Sequence, residues 1–425
     1  MFGPQGTGFF LLLVMVFAAL IFWVALAKQV VFRVLAACLA FVPAMAFGIA
    51  SVNKFYDYYQ TWGGAISDLT GQGASSIPKY TVAGAGSNKQ FDKDIGRVTS
   101  TAEEAQVGYL FQTTIVASHL SRDVYVYLPP QYFQKAYAHY RFPAIELLHG
   151  SPGNPSAWLT VLDVIPTFLN LLEADPSDAA VLVMPDTDGG QQYGLQCLNN
   201  PGGIQDMTFV AEDVPDYISR LVRVQAPGPA WGVAGYSEGG YCAANIAMQE
   251  PARFGVAGVM SGYFVPIDSQ VPKGNKPGGK PYTVNVFAGH PALGLVNSPK
   301  AYIAEVPITV RLPAFWLAAG ALDKQDVSAA ANFRQLLQTR LLLQTRLLLQ
   351  RQPTDVPYMI VPGGGHQGSV WRAALGPMLA WMTPQLAVQA TKADAAAAAA
   401  AAAARAAAQR KAHPVKPPPS SPRKK

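Results

Sequence analysis

Three residue types in a particular order carry the clearest chemistry in this chain: a serine, then an aspartate, then a histidine. Ser237 lies in Gly235-Tyr236-Ser237-Glu238-Gly239, which fits G-x-S-x-G, the pattern of a sharp strand-to-helix turn that exposes a serine hydroxyl. Residues 231–234 before it read as a short buried strand, and 241–249 after it as a helix with small residues on its packing side. A serine hydroxyl is a weak nucleophile until a base takes its proton and an acid orients that base. After a turn of this kind the partners follow as acid, then histidine, each near a strand end. Three histidines lie downstream. His413 is near the C-terminus and His290 sits in a Gly/Pro-rich insert. His366 follows an apolar run (356–361) and three glycines, so a flexible post-strand loop delivers it, and it is the expected base. Asp323, directly after the apolar run 313–322, is the expected acid. Asp326 is the alternative, although it reads more readily as the N-cap of the next helix.

Attack on a carbonyl also needs two N–H donors aimed at the developing oxyanion. The backbone N–H of Glu238, at the start of a helix, is one candidate. The N–H of Ser151 is the other, because His149-Gly150-Ser151-Pro152-Gly153 follows the buried run 142–148. By itself that pentapeptide is an ordinary tight turn. A strand before it and the serine turn later in the chain give it its interest.

The elements needed to hold these groups are legible as alternating patterns. Residues 113–117 and 123–128 read as a hairpin; 142–148, 179–184, 255–264, 313–322 and 356–361 read as strands, with helical stretches at 213–224 and 327–350. Strands alternating with helices predict an α/β fold, a mostly parallel sheet with helices on both faces. This domain is expected over 107–384. Residues 1–53 are expected to be a membrane anchor of two transmembrane helices, about 9–27 and 34–52, each long enough to span a bilayer. Lys28 and Arg33 are the charges between them, so the short connection is cytoplasmic and the catalytic domain lies on the extracytoplasmic side of the cell membrane. Residues 33–46 also fit a signal peptide with a small-residue cleavage site; both readings export the domain. Phe55 to Tyr59, with Trp62, fit an aromatic belt at the outer membrane surface or an amphipathic lead-in. Residues 54–106 are expected to be a juxtamembrane linker.

The net charge of +6 misleads. From Ala387 onward there are eight Lys/Arg and one acid, Asp394, a sum of +7, which leaves −1 for the rest. The basic character belongs to an Ala-rich tail (385–425), expected to be disordered apart from partial helix in the alanines. No nucleic-acid surface is expected on the folded part. Of three cysteines, Cys38 lies in an apolar run; Cys197 and Cys242 either form a disulfide in an exported domain or remain free thiols. No His/Cys cluster points to a metal. Leu336 to Leu341 recur as Leu342 to Leu347, a duplication whose two copies make up about twelve residues, roughly 18 Å, of one helix and turn leucines to every side. The insert 265–306 reads as a lid or substrate wall.

Taken in order, the segments DVYVYLPPQY, ELLHGSPGNPSAW, VMPD, EDVPDYI, GYSEGGYCAANIA, PARFGVAGVMSGYF, AAGALD and GGGHQGSVWRAAL resemble the putative-esterase branch of the α/β-hydrolases over about residues 107–383. That branch includes esterase D-type enzymes, feruloyl esterases and the secreted mycolyltransferases of actinobacteria. The resemblance implies Ser237 as nucleophile, Asp323 as acid and His366 as base, with no cofactor and no metal. It also implies an ester or acyl-glycolipid as substrate. Two features depart from the family. Glu238 stands where the family often has Met, placing an acid beside a developing oxyanion. The duplicated helix lies between acid and histidine and is a source of displacement. The expected function is that of an exported, membrane-anchored serine esterase or acyltransferase. A catalytically silent envelope binding protein and a serine peptidase are the alternatives on the same fold.

Overall fold

Strand-forming runs rich in Val, Ile, Leu and Tyr alternate with helices through the chain. The structure, a computed structural model, describes residues 2–70, 79–80, 104–189, 194–268, 270–275, 281–348 and 355–412. The strands are β1 (Lys79–Tyr80), β2 (Tyr109–Ala117), β3 (Leu120–Leu128), β4 (Ala144–Leu148), β5 (Val181–Pro185), β6 (Gly228–Tyr236), β7 (Phe254–Met260), β8 (Gln270–Asn275), β9 (Pro281–Asn285), β10 (Ala314–Gly320) and β11 (Tyr358–Val361). Nine of them form one sheet in the order β1-β2-β3-β5-β4-β6-β7-β10-β11, and β8 and β9 pair separately. β2, β3 and β5 are joined antiparallel, and from β5 to β11 every pairing is parallel. β4 and β5 are buried along their whole length, as strands covered on both faces must be.

The main helices are α1 (Thr7–Leu26), α2 (Val30–Tyr56), α3 (Trp62–Thr70), α4 (Val164–Ala174), α5 (Val214–Leu221), α6 (Glu238–Gln249), α7 (Lys324–Leu348) and α8 (Gly368–Ala412). β5 lies on one side of β4 and β6 on the other, so the chain order reverses at β4. In open parallel sheets the crevice at such a reversal, beyond the carboxyl ends of the strands, is where ligands bind. The β4–β6 register sets Leu148 opposite Gly235. The turns that follow, with Ser151 and Ser237, therefore leave the sheet side by side.

α1 and α2 are each long and apolar enough to cross a membrane. They pack through small residues of α2, with Ala36, Ala40, Pro43 and Ala50 buried, which allows close approach of the two backbones. Arg33 Nε donates to Ala27 O at 2.7 Å and closes the connection.

α8 runs unbroken from Gly368 through Pro377 and Pro384 to Ala412, across the boundary expected at 384, so helix covers more of the expected tail than its alanines. An interior proline costs about 3 kcal/mol; the cost is offset by packing, since Met378, Met382, Leu386 and Ala390 are all buried. Gly232 on β6 and Gly258 on β7 make room for the methionines, because a Cβ at either would overlap Met382 or Met378. Gln225 Nε2 then reaches Asp394 Oδ1 at 2.7 Å. The basic end from 413 lies outside the described residues, as does most of the linker expected at 54–106. Leu386→Ala should cost about 2–4 kcal/mol, whereas Ala400→Ser, on an exposed turn of the same helix, should stay within about 0.5 kcal/mol. Denaturant unfolding of the two variants checks this.

Candidate active site

β6 ends at Tyr236, and Ser237 turns the chain into α6 with φ 56° and ψ −121°. An L-residue at positive φ stores about 1–3 kcal/mol and persists where its surroundings over-determine it. Ser237 N–H donates to Met260 O at 2.9 Å, and Tyr241 N–H donates to Ser237 O at 3.1 Å. The flanking glycines follow from space. A Cβ on Gly235 would lie 2.2 Å from Gly239 O, and one on Gly239 would lie 2.2 Å from Leu148 O.

His366 comes from the loop after β11. That loop is stitched to the end of β10 by Ala321 N–H to Val361 O at 2.9 Å and Leu322 N–H to Gly364 O at 2.8 Å. The histidine and the acids therefore arrive as one unit. His366 Nε2 lies 2.8 Å from Ser237 Oγ. Nδ1 lies 2.7 Å from Asp326 Oδ2 and 3.2 Å from Asp323 Oδ2. The imidazole edge meets the Trp371 ring at 5.5 Å, and Trp371 stacks on Tyr236 at 4.4 Å.

The capping expectation is reversed. Asp323 Oδ1 accepts Asp326 N–H at 3.0 Å and Asp323 O accepts Val327 N–H at 3.0 Å, the pattern of an N-cap. Asp323 is the cap of α7, and Asp326, in its first turn, turns its carboxylate to His366. The two acids differ in environment. Burial works to raise Asp323, but hydrogen bonds from Asp326 and the nearby imidazole outweigh it and hold Asp323 below the usual carboxylate range. Asp326 is pushed up by its deeper burial against the pull of His366. For His366, burial disfavours the charged ring, but Asp326 and Asp323 outweigh it and raise the pKa above the ordinary histidine value. These three residues also place ligand atoms within 4.8 Å of one another, a set a cation could use; here the imidazole nitrogen is hydrogen-bonded between the two carboxylates.

Glu238 opens α6, where the first N–H groups lack intrahelical acceptors. Its side chain packs over Gly194, and its Oε1 accepts Gln196 N–H at 2.9 Å. Burial, reinforced by the charge of Asp188, pushes its pKa well up. The segment that covers it is tied down by a disulfide between Cys197 and Cys242. Ser151, Ser237 and His366 line one cavity of about 710 Å³. The preceding His149 has a positional role. Its Nε2 accepts Thr187 N–H at 3.1 Å and its Nδ1 lies 2.8 Å from Gly150 O, joining the loops after β4 and β5.

His290 does not line this cavity. The duplicated segment of α7 leaves the acids and histidine together, because it begins a dozen residues beyond Asp323 and extends outward. Arg340 and Gln344 bond the carbonyls of Pro307, Ile308 and Val310, while Leu342, Leu343 and Leu347 are exposed. Sequence reasoning missed Asp57, Tyr58 and Trp371. An acid inside the aromatic run Phe55 to Tyr59 was the available signal, since a charge at such a position needs a partner. Asp57 Oδ2 pairs with Arg372 at 2.5 Å, and Tyr58 lies against Trp371 and lines the cavity.

Asp326→Asn should lower kcat on a simple ester by about 10²–10⁴ and move the acid limb of kcat/KM to lower pH. The sign follows because a lost carboxylate no longer stabilises imidazolium, so the base is neutral at lower pH. Asp323→Asn should cost less in kcat and about 1 kcal/mol in stability through the lost cap. A pH–rate series on both variants tests this, and a larger kcat loss at Asp323 would reverse the ranking.

Residues 118–382 match the family model described as putative esterase. Among solved structures, a ferulic acid esterase superposes with a TM-score of 0.51 at 19% identity, covering 65% of this chain and 98% of that one. An S-formylglutathione hydrolase from Agrobacterium tumefaciens gives 0.47 at 14% identity, covering 66% and 96%. At such identities the likeness is of fold, and it rests on the first. An uncharacterized protein of Corynebacterium glutamicum is 26% identical over 230 residues, 52% of this chain and 50% of that protein, so the chain spans about half the length of that relative. Because the family match takes in well over half of the sequence, this chain belongs to the putative-esterase family, on the α/β-hydrolase fold.

Proposed function

We propose that the chain is an exported, membrane-anchored serine esterase or acyltransferase that works through an acyl-enzyme on Ser237. The observation that carries this reading is the continuous hydrogen-bonded line from Ser237 Oγ through His366 to Asp326 and Asp323. Ser237 Oγ attacks the ester carbonyl carbon while His366 Nε2 takes its proton. The carbonyl oxygen, now an anion, is held by the N–H groups of Glu238 and Ser151. The tetrahedral intermediate collapses, the alkoxide leaves with the proton from His366, and the acyl group remains on Ser237. Water, or a sugar hydroxyl of an acyl-glycolipid acceptor, then attacks with His366 again as base. The two carboxylates hold the ring and stabilise imidazolium at each stage.

The membrane setting is supported by the two long apolar helices and by Lys28 and Arg33 at their connection, which by the positive-inside tendency put the catalytic domain outside. The disulfide agrees with an oxidising compartment. Ser237→Ala should abolish ester turnover, a loss of about 10⁶ in kcat for such a serine. A fluorophosphonate probe should label Ser237 in the folded wild type. Absence of labelling, with a control esterase labelled in the same tube, would sink the enzyme reading.

A further inference from the structure

The acyl group that Ser237 would carry is left open by the chemistry, but not by the walls of its cavity. Ser237 and His366 share the cavity of about 710 Å³ with residues that come mainly from outside the catalytic domain: Phe9 of α1, Ile49 and Ala50 of α2, Trp62 and Ala65 of α3. Its size falls within the range of about 300–1,000 Å³ of small-molecule sites. Asn53, a polar residue of this wall, is occupied by the backbone of Tyr59, accepting its N–H at 2.8 Å and donating to its carbonyl at 2.9 Å. Apart from the reacting groups, Ser151, the two indoles and the phenol edges, the wall offers hydrocarbon. Ile49 is 67% exposed while lining the cavity, so the mouth is continuous with the outward apolar face of α2.

The helix pair is docked rather than merely tethered. Asp57, directly after α2, pairs with Arg372 of α8 with both side chains less than one-fifth exposed. Arg372 also donates to Val161 O at 2.7 Å, and Tyr58 Oη donates to Pro152 O at 3.2 Å beside Ser151. Asp57 O approaches so closely that a Cβ on Gly368 would lie 2.4 Å from it. We infer that the two apolar helices form the acyl-binding wall of the active site, and that the substrate is a long-chain acyl ester drawn from the membrane those helices occupy. This rests on Ser237 acting as the nucleophile. Each methylene removed from water strengthens binding, so selection for chain length follows from a hydrocarbon wall, and a mouth open to the lipid-facing surface of α2 admits a chain without passage through water.

The test uses the full chain in phosphatidylcholine vesicles, with p-nitrophenyl palmitate in the membrane and p-nitrophenyl acetate added from water. In the wild type, palmitate carried in the same vesicles should turn over at least tenfold faster than palmitate carried in separate vesicles. The palmitate-to-acetate ratio of kcat/KM should fall at least tenfold in Ala50→Phe and in Ala65→Phe, which fill the cavity from two different helices. Fluorophosphonate labelling of Ser237 reports whether each variant keeps a folded site. Equal turnover from same and separate vesicles overturns the inference, as does an unchanged ratio in a variant that still labels. If wild type neither labels nor hydrolyses acetate, the serine-esterase reading itself fails. If acetate turnover depends on Ser237 but palmitate shows none of these effects, only the inference about the wall fails.

Discussion

Ser237 N–H donates to Met260 O across the β6–β7 pair, and Tyr241 N–H returns to Ser237 O, which together hold a serine at positive φ between a strand and a helix. A strained residue of this kind needs rigid neighbours on every side. The parallel register of β4 and β6 supplies one of them, since it sets Leu148 O against the position where a side chain on Gly239 would stand. The order of strands, the glycines and the placement of the Ser151 turn are consequences of the same requirement. His366 and its acids are likewise fixed to the sheet, through the stitched ends of β10 and β11, so the hydrogen-bonded line joins two rigid corners of one sheet.

The electrostatics of this region depend on burial more than on pairing. Glu238 and Asp188 are both pushed up by desolvation. Asp206, fully buried beside Arg122, is pushed up to about 7 by burial despite that partner. Asp323 is held low because it caps α7 and meets both Asp326 and the imidazole, and Asp186 is held low by His149 and the N–H groups of Asp188 and Gly189. A carboxylate held low and one pushed up share a single ring nitrogen, and together they raise His366.

The N-terminal helices bear on the catalytic domain through a short stretch of chain. Asn53 closes the turn after α2, Asp57 sits in a left-handed conformation, and Arg372 receives it from the first turns of α8. Trp371, next to that arginine, contacts both Tyr58 and His366. A single helix end therefore supports the histidine on one side and receives the helix pair on the other, which couples the position of those helices to the geometry of the base.

Local patterns in the sequence were enough for whatever depends on neighbours in the chain. The serine turn, the glycines before His366, the alternation of strands and helices and the two apolar spans all follow from short-range sterics and periodicity, and they define the fold class. Choices between residues a few positions apart were not legible. Asp323 and Asp326 look alike in sequence, and which one caps the helix as well as meeting the imidazole depends on where the β11 loop arrives from across the sheet. Pro384 closes the expected domain, yet α8 passes through it because Met382 and Leu386 are buried against β6. Asp57 reads as part of an aromatic belt until Arg372, more than three hundred residues later, supplies its partner. In each case local propensity is worth a few kcal/mol at most, and long-range packing outweighs it, so only the tertiary structure decides.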